Sequence, residues 1–287
     1  MKIKELLTFI KLRIAVSVAI SSALGYVLST KYIGTEILYL LTGVFLLASG
    51  SGALNQVQEW RLDGKMNRTR NRPIPRRVIS PAFGFVVSTL LISFGIGVLA
   101  FGSQSILVPL LGTSAVVIYN GIYTPLKRVS PFAAIPGAFI GAIPPMIGWM
   151  MGGNEIQHPL NLALSLFFFI WQIPHFWLLL IVYEDDYRRA GFPVLTDKVS
   201  PLQLSRISFS WIVALVLCSF WIISLLDHIS WFTLCAIVLL GLFLLARTHK
   251  MVTVLQPRGF YRFAFVNLNI FVLFISLILT FNKLLNI

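Results

Sequence analysis

Apolar residues along this chain run in long unbroken stretches, without the three-and-four spacing of a water-facing helix or the alternation of a half-buried strand. A stretch of about 20 such residues crosses the hydrocarbon core of a bilayer as a helix. Nine can be placed, at 12–30, 37–58, 80–101, 105–122, 132–151, 160–182, 207–226, 230–246 and 263–282. The polar segments between them are too short for a soluble domain. The pattern therefore predicts an all-α membrane protein, with residues 1–287 as a single transmembrane domain.

Composition supports that class. The chain is 57% hydrophobic and 11% charged, whereas soluble domains are about a quarter charged. Lys11 and Arg13 interrupt the first apolar stretch and further spans follow, so a cleavable leader is not expected. Cys218 and Cys235 fall inside spans without CxxC spacing and read as packing residues.

A net charge of +13 raises the question of nucleic acid, and its placement answers it. Alternating the inter-span segments between the two sides puts every lysine and arginine except Lys31 and Lys283 on one side. Positive charge marks the cytoplasmic side. The expected topology has the N-terminus in the cytoplasm and the C-terminus outside, in a bacterial-type inner membrane. The charge is topological, and no nucleic-acid partner is expected.

The acids then become informative. Glu59, Asp63, Glu184, Asp185, Asp186 and Asp197 all fall in the segments after spans two and six, on the cytoplasmic side. Asn55, Glu59 and Asp63 recur at steps of four, which puts them on one helical face about 6 Å apart along the axis. Three oxygen-bearing groups in a line suit Mg²⁺, which takes a few carboxylates and completes its shell with water and phosphate oxygens. A solvated helix end accounts for the trio equally well. The arginines that follow, including Arg68 and Arg72, shift the balance, because guanidinium forks match phosphate oxygens. In the second cluster Asp185 and Asp186 point about 100° apart on a helix. One is placed to reach a metal while another acid pairs with Arg188 or Arg189.

Other polar groups are sparser. Tyr123, Lys127 and Arg128 close span four on the same side; a diphosphate clamp and a snorkelling interfacial pair both fit them. Trp171, Gln172 and His175 lie mid-span beside Pro174, and an ionisable group inside a span is a functional candidate by default. A helix–helix hydrogen bond is the plainer reading of His175. The run from Gly137 to Trp149 carries small residues at four-step spacing and reads as tight helix packing.

The motif Asn55-x₃-Glu59-x₃-Asp63, followed by Met66-x-Arg68-Thr69-x₂-Arg72-Pro73, resembles the acid-rich motif of UbiA-type intramembrane prenyltransferases. Tyr123-Thr124-x₂-Lys127-Arg128, Gly141-Ala142-Ile143-Pro144-Pro145, Trp171-Gln172-x-Pro174-His175-Phe176 and Asp186-Tyr187-x₂-Ala190-Gly191-x-Pro193 are similar to the branch that farnesylates haem. Quinone-pathway relatives generally carry Asp at the place of Glu59 and a second DxxxD at the place of Tyr183-x₃-Tyr187. Val194 stands where the haem branch commonly has Met.

The resemblance implies a nine-helix bundle around a central cavity open to the cytoplasmic side. It implies farnesyl diphosphate and haem B as substrates within the lipid bilayer, with Mg²⁺ on Asn55, Glu59, Asp63 and Asp186, and Asp185 beside them. Diphosphate would meet Arg68, Arg72, Tyr123, Lys127 and Arg128. Haem would meet Trp171, Gln172 and His175, and the product would pass to a haem A synthase or oxidase-assembly partner. A quinone-precursor prenyltransferase and a transporter of an anionic lipid are the competing expectations. Against transport, the polar groups concentrate at one end rather than along a path through the midplane.

Overall fold

The computed structural model describes residues 2–30 and 32–285. Lys31, expected in an outer loop, lies outside the described residues. Helix α1 (Ile3–Phe9) precedes α2 (Leu12–Ser29), α3 (Glu36–Asp63) and α4 (Pro81–Gly102). Next come α5 (Leu107–Val116), a π-helical segment Val117–Tyr123, and the single turn α6 (Thr124–Leu126), which together make one span. The second half has α7 (Ala134–Met151), α8 (Pro159–Val182), the short α9 (Glu184–Ala190), α10 (Pro201–Ser224), α11 (Trp231–Thr248) and α12 (Arg258–Leu285). Among the described residues nine helical spans are long and apolar enough to cross a membrane, at the nine places where the apolar stretches fall.

Local chemistry explains the boundaries. Ser80 and Ser200 each accept a hydrogen bond from the backbone N–H of the third residue of the helix they open, and a proline follows each cap at the first helical position. Span seven consequently begins at Pro201, six residues before its apolar stretch. Span six does not continue through the second acidic cluster. The chain breaks at Tyr183 and restarts as α9, whose first turn holds Glu184, Asp185 and Asp186, where acids favour the helix N-terminus. Gly191, at φ 83°, ends it in the left-handed conformation that suits glycine.

Two large apolar cores form among the described residues. The larger joins α8, α10, α11 and α12 with Leu24 and Leu28 of α2; the smaller joins α2, α3, α5 and α7. The two halves meet most intimately where α2 crosses α7. A Cβ on Gly148 would lie 1.8 Å from the Ser22 carbonyl oxygen, and one on Gly25 would lie 2.1 Å from that of Pro145. The small-residue run of α7 thus does what its spacing predicts, bringing two backbones into contact. Alternation of the spans places the start of α2, the ends of α3 and α6, the start of α7 and the end of α8 at the same end of the bundle. That end holds the acids.

Candidate active site at one end of the bundle

Helix α3 runs past its apolar stretch to Asp63, carrying Asn55, Glu59 and Asp63 inward at 2%, 4% and 1% exposure. Lipid-facing carboxylates there would cost about 2.5–3.5 kcal/mol each or more, and buried ones need partners. The partners are cations from other elements. Lys127, just beyond α6, places Nζ 2.6 Å from Glu59 Oε2, and Arg72 places a guanidinium nitrogen 2.7 Å from Asp63 Oδ2. Asn55 Nδ2 donates to Glu59 Oε2 at 2.9 Å and to Thr124 Oγ1 at 3.1 Å.

The π-helical segment sets Lys127 in place. Its wider turn is locked to α3: Asn120 Nδ2 donates to the Ser51 carbonyl and to Gln58 Oε1, while Gln58 Nε2 donates to the Asn120 carbonyl. Arg128 is engaged here too, donating to the Gln58 carbonyl at 2.7 Å. It borders a cleft of about 490 Å³ with Trp60 and Arg61, which come from other faces of α3 than the acids.

The second cluster does not present free carboxylates. Asp186 is turned inward, and its two oxygens accept the backbone N–H groups of Asn67 at 3.2 Å and Arg68 at 3.1 Å; Arg189 also approaches to 3.3 Å. Asp185 is exposed and held by both terminal nitrogens of Arg258, whose hydrogen bonds keep its carboxyl below the usual carboxylate range. Glu184 pairs with Arg188. The expectation that Asp185 or Asp186 adds a metal contact thus meets a different arrangement: Asp186 clasps the arginine loop, and Asp185 ties α9 to α12. Among the described residues no three His, Cys, Asp or Glu side chains gather as a metal-holding group.

From the cations a row of rings leads into the bundle. Tyr119 and Tyr123 stack at 5.8 Å between centroids, Tyr123 and Phe176 at 5.4 Å, and Lys127 lies 5.2 Å from the Tyr123 centroid. Behind Phe176, His175 packs against Trp171 and Phe265, with Nδ1 3.0 Å from Asn269 Oδ1. Gln172 instead lies against Gly141 of α7. The Trp171 and Trp177 indole N–H groups are buried without a hydrogen-bond partner among the described residues. A cavity of about 60 Å³ opens beside Tyr123, Lys127, Phe176 and Trp177. Tyr187 borders it as well, and burial raises its phenol pKa.

Residues 15–278 match the UbiA prenyltransferase family. The chain belongs to that family. As a UbiA-family protein it is a multi-pass integral membrane protein. A relative from Geobacter sulfurreducens named protoheme IX farnesyltransferase is 41% identical over 203 residues, covering 71% of this chain and 74% of its own. Another so named, from Nitratidesulfovibrio vulgaris, is 34% identical over 257 residues, covering 87% and 88%. The fold is shared with a solved structure described as digeranylgeranylglyceryl phosphate synthase in membranes, at TM-score 0.78, 14% identity and 98% of both chains. A UbiA homologue from Archaeoglobus fulgidus, solved with GPP and Mg²⁺, matches at TM-score 0.67 and 12% identity, over 96% of this chain and 99% of its own.

The site of this UbiA-family chain is suited to a divalent cation. Glu59 Oε1 is buried and lacks a hydrogen-bond partner among the described residues, an arrangement that leaves one carboxylate oxygen available. Two carboxylates and an amide are a hard donor set that leaves room for water and phosphate oxygens. Motif reading gave no site role to Lys11, Tyr119, Thr124 or Trp177. Lys11 Nζ donates to Asn55 Oδ1 at 2.7 Å and reaches Tyr119 Oη at 3.3 Å. Burial, with Arg72 and Lys127 nearby, lowers its pKa well below the usual lysine value.

Proposed function

We propose that the chain transfers a farnesyl group from farnesyl diphosphate to a vinyl group of haem B, giving haem O and diphosphate. The observation that carries diphosphate chemistry is the buried Asn55–Glu59–Asp63 face, ringed by Lys127 and Arg72 with one carboxylate oxygen left open. The haem acceptor is supported by the name that relatives carry over most of this chain's length. In this reading residues 1–287 work as one domain, with the N-terminus and the acidic end in the cytoplasm of a bacterial-type inner membrane.

Asn55, Glu59 and Asp63 would hold Mg²⁺, which when bound supplies Lewis-acid neutralisation of the leaving diphosphate. Arg68, Arg72 and Lys127 add fixed positive charge at the same oxygens, where stabilisation of developing charge lowers the barrier. The bond from the farnesyl C1 to the bridging oxygen breaks with its electron pair leaving on diphosphate. The allylic cation that remains faces Tyr119, Tyr123 and Phe176, whose ring faces attract positive charge. The vinyl π electrons of haem then bond to C1. Water adds to the resulting carbocation next to the pyrrole ring and loses a proton, completing the hydroxyethylfarnesyl substituent. Until that capture, the apolar row from Phe176 inward keeps water from the allylic cation.

His175, Trp171 and Trp177 are the polar groups best placed to meet the porphyrin, two of them as indole donors without a partner among the described residues. A cavity of about 60 Å³ is far below the 300–1,000 Å³ common for ligand pockets, so substrate binding separates side chains along this row.

The decisive experiment gives purified protein in lipid farnesyl diphosphate, Mg²⁺ and either haem B or 4-hydroxybenzoate, and reads products by mass. Haem heavier by one farnesyl group plus one hydroxyl is the expected result. Prenylated hydroxybenzoate would retain the site chemistry and replace the acceptor; absence of both products from folded protein would reject prenyl transfer.

A further inference from the structure

Lys11 reaches the acids by an arrangement built for it. Its backbone is left-handed, at φ 51° and ψ 47°, a conformation disfavoured for residues with a Cβ. Gln56 of α3 holds that turn by donating to the carbonyls of Thr8 at 2.9 Å and Phe9 at 2.8 Å, and Phe9 is buried against Ala53 and Ile74. Gly52 leaves space for the lysine stem, since a Cβ there would lie 3.1 Å from Lys11 Cδ. The amine therefore arrives 2.7 Å from Asn55 Oδ1. Asn55 Nδ2 is turned to Glu59 and Thr124, which makes Oδ1 the one oxygen this side chain has for a cation.

We propose that Lys11 is an exchangeable counter-cation. It holds Asn55 Oδ1 when no metal is bound, yields that oxygen to the divalent cation, and takes a diphosphate oxygen in return. The inference rests on the metal–diphosphate reading of this site. Two positive charges on one amide oxygen repel, so metal alone must displace Lys11 without recompense. With diphosphate present, the displaced amine gains a new partner. Lys11 thereby makes metal and diphosphate each raise the other's affinity, as linkage requires.

The test needs no turnover. Mn²⁺ binding to the full-length protein is measured by electron paramagnetic resonance with and without inorganic pyrophosphate, in wild type, Lys11→Met and Gly52→Ala. Lys11→Met is expected to bind Mn²⁺ about tenfold more tightly alone and, with Mn²⁺ present, pyrophosphate about tenfold more weakly, so that the mutual enhancement shrinks to what direct Mn²⁺–pyrophosphate contact supplies. Gly52→Ala, which crowds the stem while leaving the charge, is expected to move both affinities in the same senses by less. Folding is checked by circular dichroism. Should Lys11→Met be unfolded, Gly52→Ala decides alone. Unchanged or weaker Mn²⁺ binding in a folded variant overturns the exchange role while leaving the metal site intact. Wild type that binds no Mn²⁺ even with pyrophosphate overturns the metal reading itself.

Discussion

Glu59 is buried with one oxygen taken by the Lys127 amine and the Asn55 amide and the other left open. Removing one member of a buried ion pair costs about 3–5 kcal/mol, because the other is left uncompensated. Lys127→Met is expected to lower the thermal midpoint sharply, and the double variant with Glu59→Gln to recover most of it; melting both in one detergent checks this. Asp63→Ala is expected to reduce prenyl transfer about 100-fold or more with helical content unchanged, read by product assay beside circular dichroism. His175→Ala is expected to raise the KM for haem while leaving that for farnesyl diphosphate near wild type. An equal rise in both would return His175 to helix packing through Asn269. Asn55, Glu59 and Asp63 were legible because one face of one helix carries all three. Lys11 was not, because its partners Asn55 and Tyr119 lie 44 and 108 positions away and meet it only once the spans have packed.

Among elements, the loop after α3 and the short α9 act together. Asp186 gathers the backbone of Asn67 and Arg68, which orients the stretch that carries Arg72 back to Asp63. Asp186→Ala is expected to expose the 64–77 segment to trypsin and weaken diphosphate binding, with a smaller effect on bound Mn²⁺. If metal binding falls most, Asp186 is a ligand after all. Asp185→Asn, which alters an exposed pair, is expected to leave turnover within about twofold. The acids after span six were visible in the sequence, but their division of labour was not. Spacing gave the angle between Asp185 and Asp186, whereas the break at Tyr183 decided which of them turned inward. Similarly, the apolar stretch of span four runs to 122, through most of the π-helical segment, but nothing in its pattern marks the wider turn that delivers Lys127.

For the whole molecule, the spans were legible because a bilayer demands length and apolarity from each, and those are local properties. How the halves meet was legible only as a run of small residues. Gly148→Val places side-chain atoms where the Ser22 carbonyl lies and is expected to destabilise the protein by roughly 1–3 kcal/mol or more. A thermal unfolding series of Ala, Val and Leu at 148 should show a graded loss.

The touching backbones of α2 and α7 also settle where the bundle can give. They press together near Ser22, about 16 Å along α2 from Lys11 at 1.5 Å per residue. Neither helix can approach the other further there, yet each can roll on the point of contact. That makes the crossing a fulcrum and the inner ends of the helices its lever arms. A tilt too small to disturb the glycines would move the inner ends of α2 and α7, with Lys11 at the head of α2, further than the pivot itself.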